Sequence, residues 1–254
     1  MKVVTWNVNS LTARWPRVHD WLVRHEPDVV LVQETKQNDE KFPFAALDAL
    51  GYESAHHGQG QWNGVAILSR VGLRDAQRGL GDDTEARFIA ATCDGLRVAS
   101  CYVPNGRALD DPHYAYKLRW LESLRELLGE RDRSQALMVG GDFNVTMSDL
   151  DVYDPSVFEG ATHVSAPERA AMRGLLATDL VDLGRAFHAD EPCYTWWDYR
   201  NGSFRRGWGL RIDYLLADEA TSQLVREVYV DRDARKGEKP SDHAPVVAVL
   251  DWVR

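Results

Sequence analysis

Six apolar runs in this sequence carry acids, amides or a histidine at one end, and that placement constrains the fold more than any composition figure. Val3–Trp6 leads into Asn7, Val30–Val32 into Gln33-Glu34, and Cys101–Val103 into Pro104-Asn105. Leu137–Val139 passes through Gly140-Gly141 into Asp142-Phe143-Asn144. Two runs have the polar group first: Asp213 precedes Tyr214–Leu216, and Asp242-His243 precedes Pro245–Leu250. Where neighbouring strands run antiparallel, the C-terminal end of one and the N-terminal end of the next share an edge. The pattern therefore predicts one rim built from six remote segments. A lone Asp or Asn at a strand end is ordinarily a turn former or a cap; the repetition is what points to a site.

Further β-like runs at Val65–Leu68 and Phe88–Thr92 join these, the Cys101–Val103 run reaches back to Val98, and helical patterns lie between several of them. Leu118, Leu121, Leu124 or Arg125, and Leu128 make a stripe of helical period, opposed by Glu122, Glu126 and Glu130. Trp15–His25, with Pro16 in its opening turn, and Ala166–Ala177 also read as helices. Strands outnumber helices, and several lack a following helix long enough for a parallel crossover. The expected architecture is an α/β layered sandwich with mixed or antiparallel sheets. No repeat, low-complexity tract or long linker interrupts the chain, so residues 1–254 are expected to form one domain.

At 254 residues the chain can bury a core without staples. Cys93, Cys101 and Cys193 are odd in number and widely spaced, which supports neither a disulfide framework nor a zinc ribbon. Val29–Val32 and Val246–Leu250 fall far short of the roughly 20 apolar residues of a membrane span. The N-terminus lacks the pattern of a secretory signal, so the expected compartment is the cytoplasm, with no membrane partner. With 39 acids against 30 bases, the net charge is −9. That balance disfavours a protein that coats nucleic acid nonspecifically. It leaves room for an enzyme acting on phosphodiesters, with carboxylates gathered around a metal and arginines at the rim.

Glu34, Asp142, Asp213 and Asp242, with Asn7, Asn105, Asn144 and His243, form an oxygen-rich set without a thiolate. Hard Mg²⁺ prefers such ligands and usually keeps several waters, whereas zinc favours more His or Cys. Bound there, Mg²⁺ would lower the pKa of water and neutralise phosphate charge. Asp213 and His243 suit an acid–imidazole pair, in which the carboxylate fixes the tautomer and holds the ring protonated or oriented toward phosphate. Gly140-Gly141 reads as a tight turn rather than a phosphate cradle, and Ser241-Asp242-His243 has an ordinary loop as its plainer reading.

Six motifs follow in order from end to end: Trp6-Asn7-Val8-Asn9-Ser10, Gln33-Glu34-Thr35-Lys36, Tyr102-Val103-Pro104-Asn105-Gly106, Gly141-Asp142-Phe143-Asn144, Leu210-Arg211-Ile212-Asp213 and Ser241-Asp242-His243-Ala244-Pro245. This series resembles the exonuclease III family of AP endonucleases, within the endonuclease/exonuclease/phosphatase superfamily. The resemblance covers essentially the whole chain. It implies a four-layer α/β sandwich, two mainly antiparallel β-sheets flanked by helices, with the site at one edge. It also implies a Mg²⁺-dependent hydrolase (Mn²⁺ as an alternative) that cuts the phosphodiester 5′ to abasic sites in duplex DNA. Processing of damaged 3′ ends by 3′–5′ exonuclease or phosphodiesterase action is implied too, as is a monomer.

Carried over residue by residue, the resemblance makes Glu34 the principal metal ligand, with Asn7 and Asp242 as ligands directly or through water. Asp142 would orient or deprotonate the attacking water, and Asn144 would hold that water or a phosphate oxygen. His243, buttressed by Asp213, would stabilise the developing phosphate charge. Tyr102 and Asn105 would bind phosphate, with Tyr102 also able to assist the leaving group. Thr12 departs from the family's frequent Arg, which is expected to touch packing more than chemistry. Asn9 stands where some relatives carry Asp, which puts a second metal position in question.

For DNA contacts, Tyr194–Arg200 and Arg205-Arg206-Gly207-Trp208 interleave aromatic and basic residues. Selecting a missing base needs an apolar pocket for bare deoxyribose that excludes a normal nucleotide by size. Trp196 resembles the family's pocket residue, Trp208 is a second candidate, and one of Trp196 and Trp197 is expected in the core. Arg200, Arg205 and Arg206 are candidates to grip backbone phosphates, as are Arg107 and Lys117, with a solvated surface as the alternative. Lys236 and Lys239 read as solvated. Two other functions are weighed: a related metal-dependent phosphodiesterase or phosphatase on another substrate, and a non-catalytic DNA-binding relative. Glu34, Asp142 and His243 are all retained, which disfavours the second.

Overall fold

Successive residues of the central strands point into two different apolar layers, which is why these strands read as unbroken hydrophobic runs. In the computed structural model, which describes residues 1–253, twelve strands form two six-stranded sheets. The first contains β1 (Lys2–Asn7), β2 (Val29–Gln33), β3 (Glu53–His57), β4 (Val65–Ser69), β11 (Val225–Val230) and β12 (Val246–Leu250), in the order β11-β12-β1-β2-β4-β3. The second contains β5 (Arg74–Arg78), β6 (Phe88–Cys93), β7 (Leu96–Tyr102), β8 (Leu137–Asp142), β9 (Leu180–Asp182) and β10 (Asp213–Asp218), in the order β5-β6-β7-β8-β10-β9. Each sheet is antiparallel except for one central parallel pair, β1 with β2 and β7 with β8. Helices α1 (Leu11–His25) and α3 (Pro112–Gly129) make those two crossovers. Short α2 (Phe44–Asp48) follows β2 in the chain, and α4 (Ala166–Leu176) packs against α3.

Between the sheets, Val3, Val29, Leu31, Ile67, Ile89, Val98, Met138 and Leu215 form the inner layer. Their neighbours Val4, Trp6, Val30 and Val32 face outward onto Val18, Trp21 and Leu22 of α1. On the far side, Phe88, Val139, Tyr214 and Leu216 meet Trp120, Leu121, Leu124 and Leu128 of α3 and Met172 and Leu175 of α4. The result is the expected four-layer α/β sandwich. No helix among the described residues is long and apolar enough to cross a membrane.

Several local expectations are corrected. The first helix begins at Leu11, not Trp15, because the Ser10 hydroxyl accepts from the Ala13 N–H at its start. Pro16 therefore sits in the second turn, where it removes one helical donor. On α3 the buried stripe runs through Lys117, Trp120, Leu121, Leu124 and Leu128, with Leu118 only half-buried. Gly140 and Gly141 form no turn; they lie inside β8. A Cβ on Gly141 would fall 2.0 Å from the Cys101 carbonyl oxygen, and one on Gly140 2.7 Å from Leu31 of the facing sheet. Glycine here permits close approach of backbone across the core.

The registers bring the polar strand ends to one rim. Asn7 lies opposite Gln33, Tyr102 opposite Asp142, and Asp213 opposite Asp142, while Val246 pairs with Thr5.

Candidate active site

Asp142, at the end of β8, is the centre of the arrangement. Its carboxylate accepts from Asn7 Nδ2 at 2.9 Å, and the same amide nitrogen donates to Glu34 Oε1 at 2.9 Å. The other Asp142 oxygen accepts from the Asn144 N–H at 2.9 Å. His243 Nε2 stands 3.7 Å from Asp142 Oδ2, and its Nδ1 faces Asp213 Oδ2 at 2.9 Å. Ligand atoms of Glu34, Asp142 and His243 all lie within 4.8 Å of one another. Three segments remote in sequence thus converge on one point.

Local backbone geometry aims these groups. Glu34 and Asn144 each adopt φ of 53°, a left-handed conformation uncommon for residues other than glycine and concentrated at functional sites. The Glu34 loop is held by Thr35 N–H to Gly64 O at 3.1 Å and Lys36 N–H to Asn63 O at 2.9 Å. Beneath it, Thr35 Oγ1 lies 2.8 Å from Nε2 of buried His56. On the opposite side, the Ser241 hydroxyl donates to Asn7 O at 2.7 Å, tying the Asp242-His243 turn to β1.

The electrostatics divide the groups into acid and base. Burial by itself would lower the His243 pKa, but the Asp213 and Asp142 carboxylates outweigh it and push the ring up to about 10. Burial pushes the Asp142 carboxyl up to about 7, assisted by Asp213 and Glu34 and opposed by the His243 charge. Tyr102 is raised well above its ordinary value by burial and by the Glu34 and Asp142 charges, so its hydroxyl keeps its proton. The Arg87 guanidinium lies 4.8 Å from the Tyr102 ring centre.

A charged His243, with Nδ1 committed to Asp213, has no lone pair for a cation. Glu34 and Asp142 remain, with Asn7 between them, an all-oxygen donor set suited to a hard divalent ion. The residues present thus fit a cation of that class. Asp242 stands outside this group: its two oxygens accept from Asn9 Nδ2 at 2.9 Å and Trp196 Nε1 at 3.0 Å. Those bonds, with the His243 charge, offset burial and hold its carboxyl below the usual range. Asn9 Oδ1 in turn accepts from Lys36 Nζ at 2.7 Å, and Lys36 pairs with Glu34 Oε2 at 2.7 Å.

Exposed Asn105, in the loop after β7, donates from Nδ2 to Asn144 Oδ1 at 3.1 Å. Trp196 is half-buried beside the site, its backbone bridged to His243 and Leu210. Trp197 is wholly buried, so it is the core member of the pair. Trp208 stacks on Tyr153 at 5.7 Å, with Arg206 4.4 Å from its centre. Exposed Arg200 is clasped by Asp198 at 2.6 Å, which offsets its charge toward a phosphate. Lys236 pairs with Asp233, while Arg205 and Arg107 are exposed. Thr12 is exposed and accepts from Gln37 Nε2 at 2.8 Å.

Lys117 is a correction. The expectation of a phosphate contact fails because its ammonium is wholly buried and donates to the Asn144 and Asn105 carbonyls. Two supports stand behind Asp213. Thr195 Oγ1 donates to Asp213 Oδ2 at 2.6 Å and accepts from the Asp213 N–H. Arg211 is buried between Asp151 and Asp182, anchoring the segment that leads into Asp213. The Leu-Arg-Ile-Asp motif contained the Arg211 signal; nothing local marked Thr195.

The Endonuclease/Exonuclease/phosphatase family matches residues 4–243. Exodeoxyribonuclease III of Haemophilus influenzae is 32% identical over 264 residues, covering 98% of this chain and 99% of that protein. A structure of the 3′ phosphatase NExo from Neisseria, bound to a product DNA hairpin, is similar with a TM-score of 0.97 and 42% identity, covering 99% of this chain and 100% of that one. An AP endonuclease from Archaeoglobus fulgidus gives a TM-score of 0.96 and 37% identity, again covering 99% and 100%.

Proposed function

This chain belongs to the endonuclease/exonuclease/phosphatase family, and from that premise we propose that it is a Mg²⁺-dependent nuclease acting on abasic sites and blocked 3′ ends of duplex DNA. It is a hydrolase and a DNA repair nuclease. The proposal treats residues 1–254 as one catalytic domain working as a monomer in the cytoplasm, a compartment in keeping with three free thiols. One observation carries the reading: Glu34, Asp142 and His243 bring side-chain polar atoms within 4.8 Å of one another, with Asp213 behind the imidazole.

Glu34 and Asp142, with Asn7 beside them and Asp242 nearby, would hold the ion. Bound there, Mg²⁺ supplies positive charge that offsets the phosphate and acidifies a coordinated water. Asp142 takes the proton from the attacking water. Asn144, fixed on Asp142 through its own N–H, orients that water or a phosphate oxygen. His243 stays protonated and directs Nε2–H at a phosphate oxygen, where negative charge grows in the transition state. Asn105 and the protonated Tyr102 hydroxyl bind the phosphate on the Asn144 side, and Tyr102 can protonate the departing oxygen.

Water oxygen bonds to phosphorus while the bond from phosphorus to a 3′ oxygen breaks. Incision 5′ to an abasic site, release of a 3′ phosphate and stepwise 3′ degradation all break that same bond, so one site serves all three. Trp196, beside Asp242, is the proposed wall against which a base-free sugar fits. The greater identity to the Neisseria 3′ phosphatase, 42% against 37% for the archaeal AP endonuclease, favours a second emphasis on 3′-end processing.

The test is a labelled duplex with one synthetic abasic site, run beside a 3′-phosphorylated duplex. Both are assayed with Mg²⁺, with chelator, and with Asp142→Asn. Loss of cleavage in chelator and in the variant is expected. Cleavage that survives chelation overturns the reading.

A further inference from the structure

Lys117 of α3 and Glu168 of α4 form an ion pair with both side chains fully buried. Desolvating two charges costs several kcal/mol per ion, and a well-packed apolar pair commonly serves stability as well or better. The pair therefore invites another explanation, and its remaining bonds suggest one. An ammonium has three protons. Beyond Glu168, Lys117 Nζ donates to Asn144 O at 2.6 Å and to Asn105 O at 3.2 Å. These are the backbone carbonyls of the two residues whose side chains meet at the rim, Asn105 Nδ2 donating to Asn144 Oδ1 at 3.1 Å.

The partner is equally committed. Glu168 Oε1 accepts from the His163 N–H at 3.0 Å and from Thr162 Oγ1 at 2.7 Å, and Oε2 from the Ser165 N–H at 3.1 Å. His163 Nδ1 reaches the same Asn144 carbonyl at 2.5 Å. Even the connecting loop is fitted to the lysine. Gly106 has φ of +89°, and a Cβ there would lie 2.7 Å from Thr162 Oγ1 and 3.1 Å from Lys117 Cδ.

We propose that Lys117 is a positioning residue that fixes the separation of Asn105 and Asn144 across the reacting phosphate, with Glu168 as the anchor that ties both loops to α4. The proposal rests on the nuclease reading given above. Its action passes through backbone carbonyls, so it governs where two amides stand and not what charge the phosphate meets.

Lys117→Met, Glu168→Gln and the double variant separate positioning from stability. Lys117→Met alone strands a buried carboxylate and lowers Tm. The double variant leaves no unpaired charge and regains most of that Tm. If Lys117 positions the amides, kcat on the abasic duplex stays about 10- to 100-fold below wild type in the double variant, with KM within about threefold. Recovery of kcat together with Tm overturns the proposal and leaves a purely structural pair. The side-chain amide NMR signals of Asn105 and Asn144 give a reading that needs no turnover. They shift in the double variant if the proposal holds, and unchanged signals refute it. Wild-type protein that fails to cleave would overturn the nuclease reading, while the NMR comparison still judges Lys117.

Discussion

Replacing Asp213 by Asn is the perturbation whose size follows most directly from the site. Asp213 faces His243 Nδ1 at 2.9 and 3.1 Å, and both residues are buried. Two unit charges about 3 Å apart interact by about 5 kcal/mol at an effective dielectric near 20. That equals about 4 pK units, enough to carry a buried imidazole from 6.5 up to about 10 against its desolvation. Asn keeps the shape and removes the charge, so His243 should return to about 6 or below. At pH 8 only about 1% of such a ring is protonated, and kcat should fall about 100-fold. On acidification to pH 6 the ratio of variant to wild-type kcat should climb tenfold or more, because wild-type His243 stays charged throughout. Single-turnover cleavage at pH 6, 7 and 8 measures that ratio, and imidazole NMR titration in chelator measures the ring. A ratio that stays flat with pH would refute the assignment of His243 as the charged donor. The same link bears on folding: the folded value exceeds the unfolded one, so the stabilisation is complete below 6.5 and is lost as pH rises through about 10.

Three further outcomes are expected. Gly141→Ala should cost about 3 kcal/mol or more in urea unfolding, because its Cβ would meet the Cys101 backbone, which cannot move without parting β7 from β8; a loss below about 1 kcal/mol would contradict this. Trp196→Ala should lower selectivity for abasic over intact duplex more than it slows removal of a 3′ phosphate, and unchanged selectivity would return Trp196 to a packing role. Lys36→Met should tighten divalent-cation binding about fivefold by calorimetry, since the ammonium now holds a Glu34 oxygen and repels an incoming cation; weaker binding would show that Lys36 instead shapes the site.

The eight strands read from apolar runs are the eight interior strands, and the four that escaped, β3, β5, β9 and β11, are the four sheet edges. Interior strands are covered on both faces, and only consistently apolar residues satisfy that, so their composition reveals them. An edge strand such as β5, Arg-Asp-Ala-Gln-Arg and exposed along its length, exists because β6 offers it unpaired backbone groups. Nothing in its own residues requires it. The same division runs through the site. Polar residues at the ends of interior strands marked Asn7, Glu34, Asp142, Asp213 and His243, since a charged group beside a buried run needs a partner or a purpose. Local sequence could not rank Trp196 against Trp197, foresee that Asp242 spends its oxygens on Asn9 and Trp196, or tell that Lys117 points inward. Those outcomes depend on which atoms arrive from segments dozens of residues away. Periodicity and strand-end chemistry therefore determined the layers, the rim and its reacting groups. The packing of α3 on α4 and the closure of the loops decided whether each remaining charge meets solvent, substrate or another buried charge.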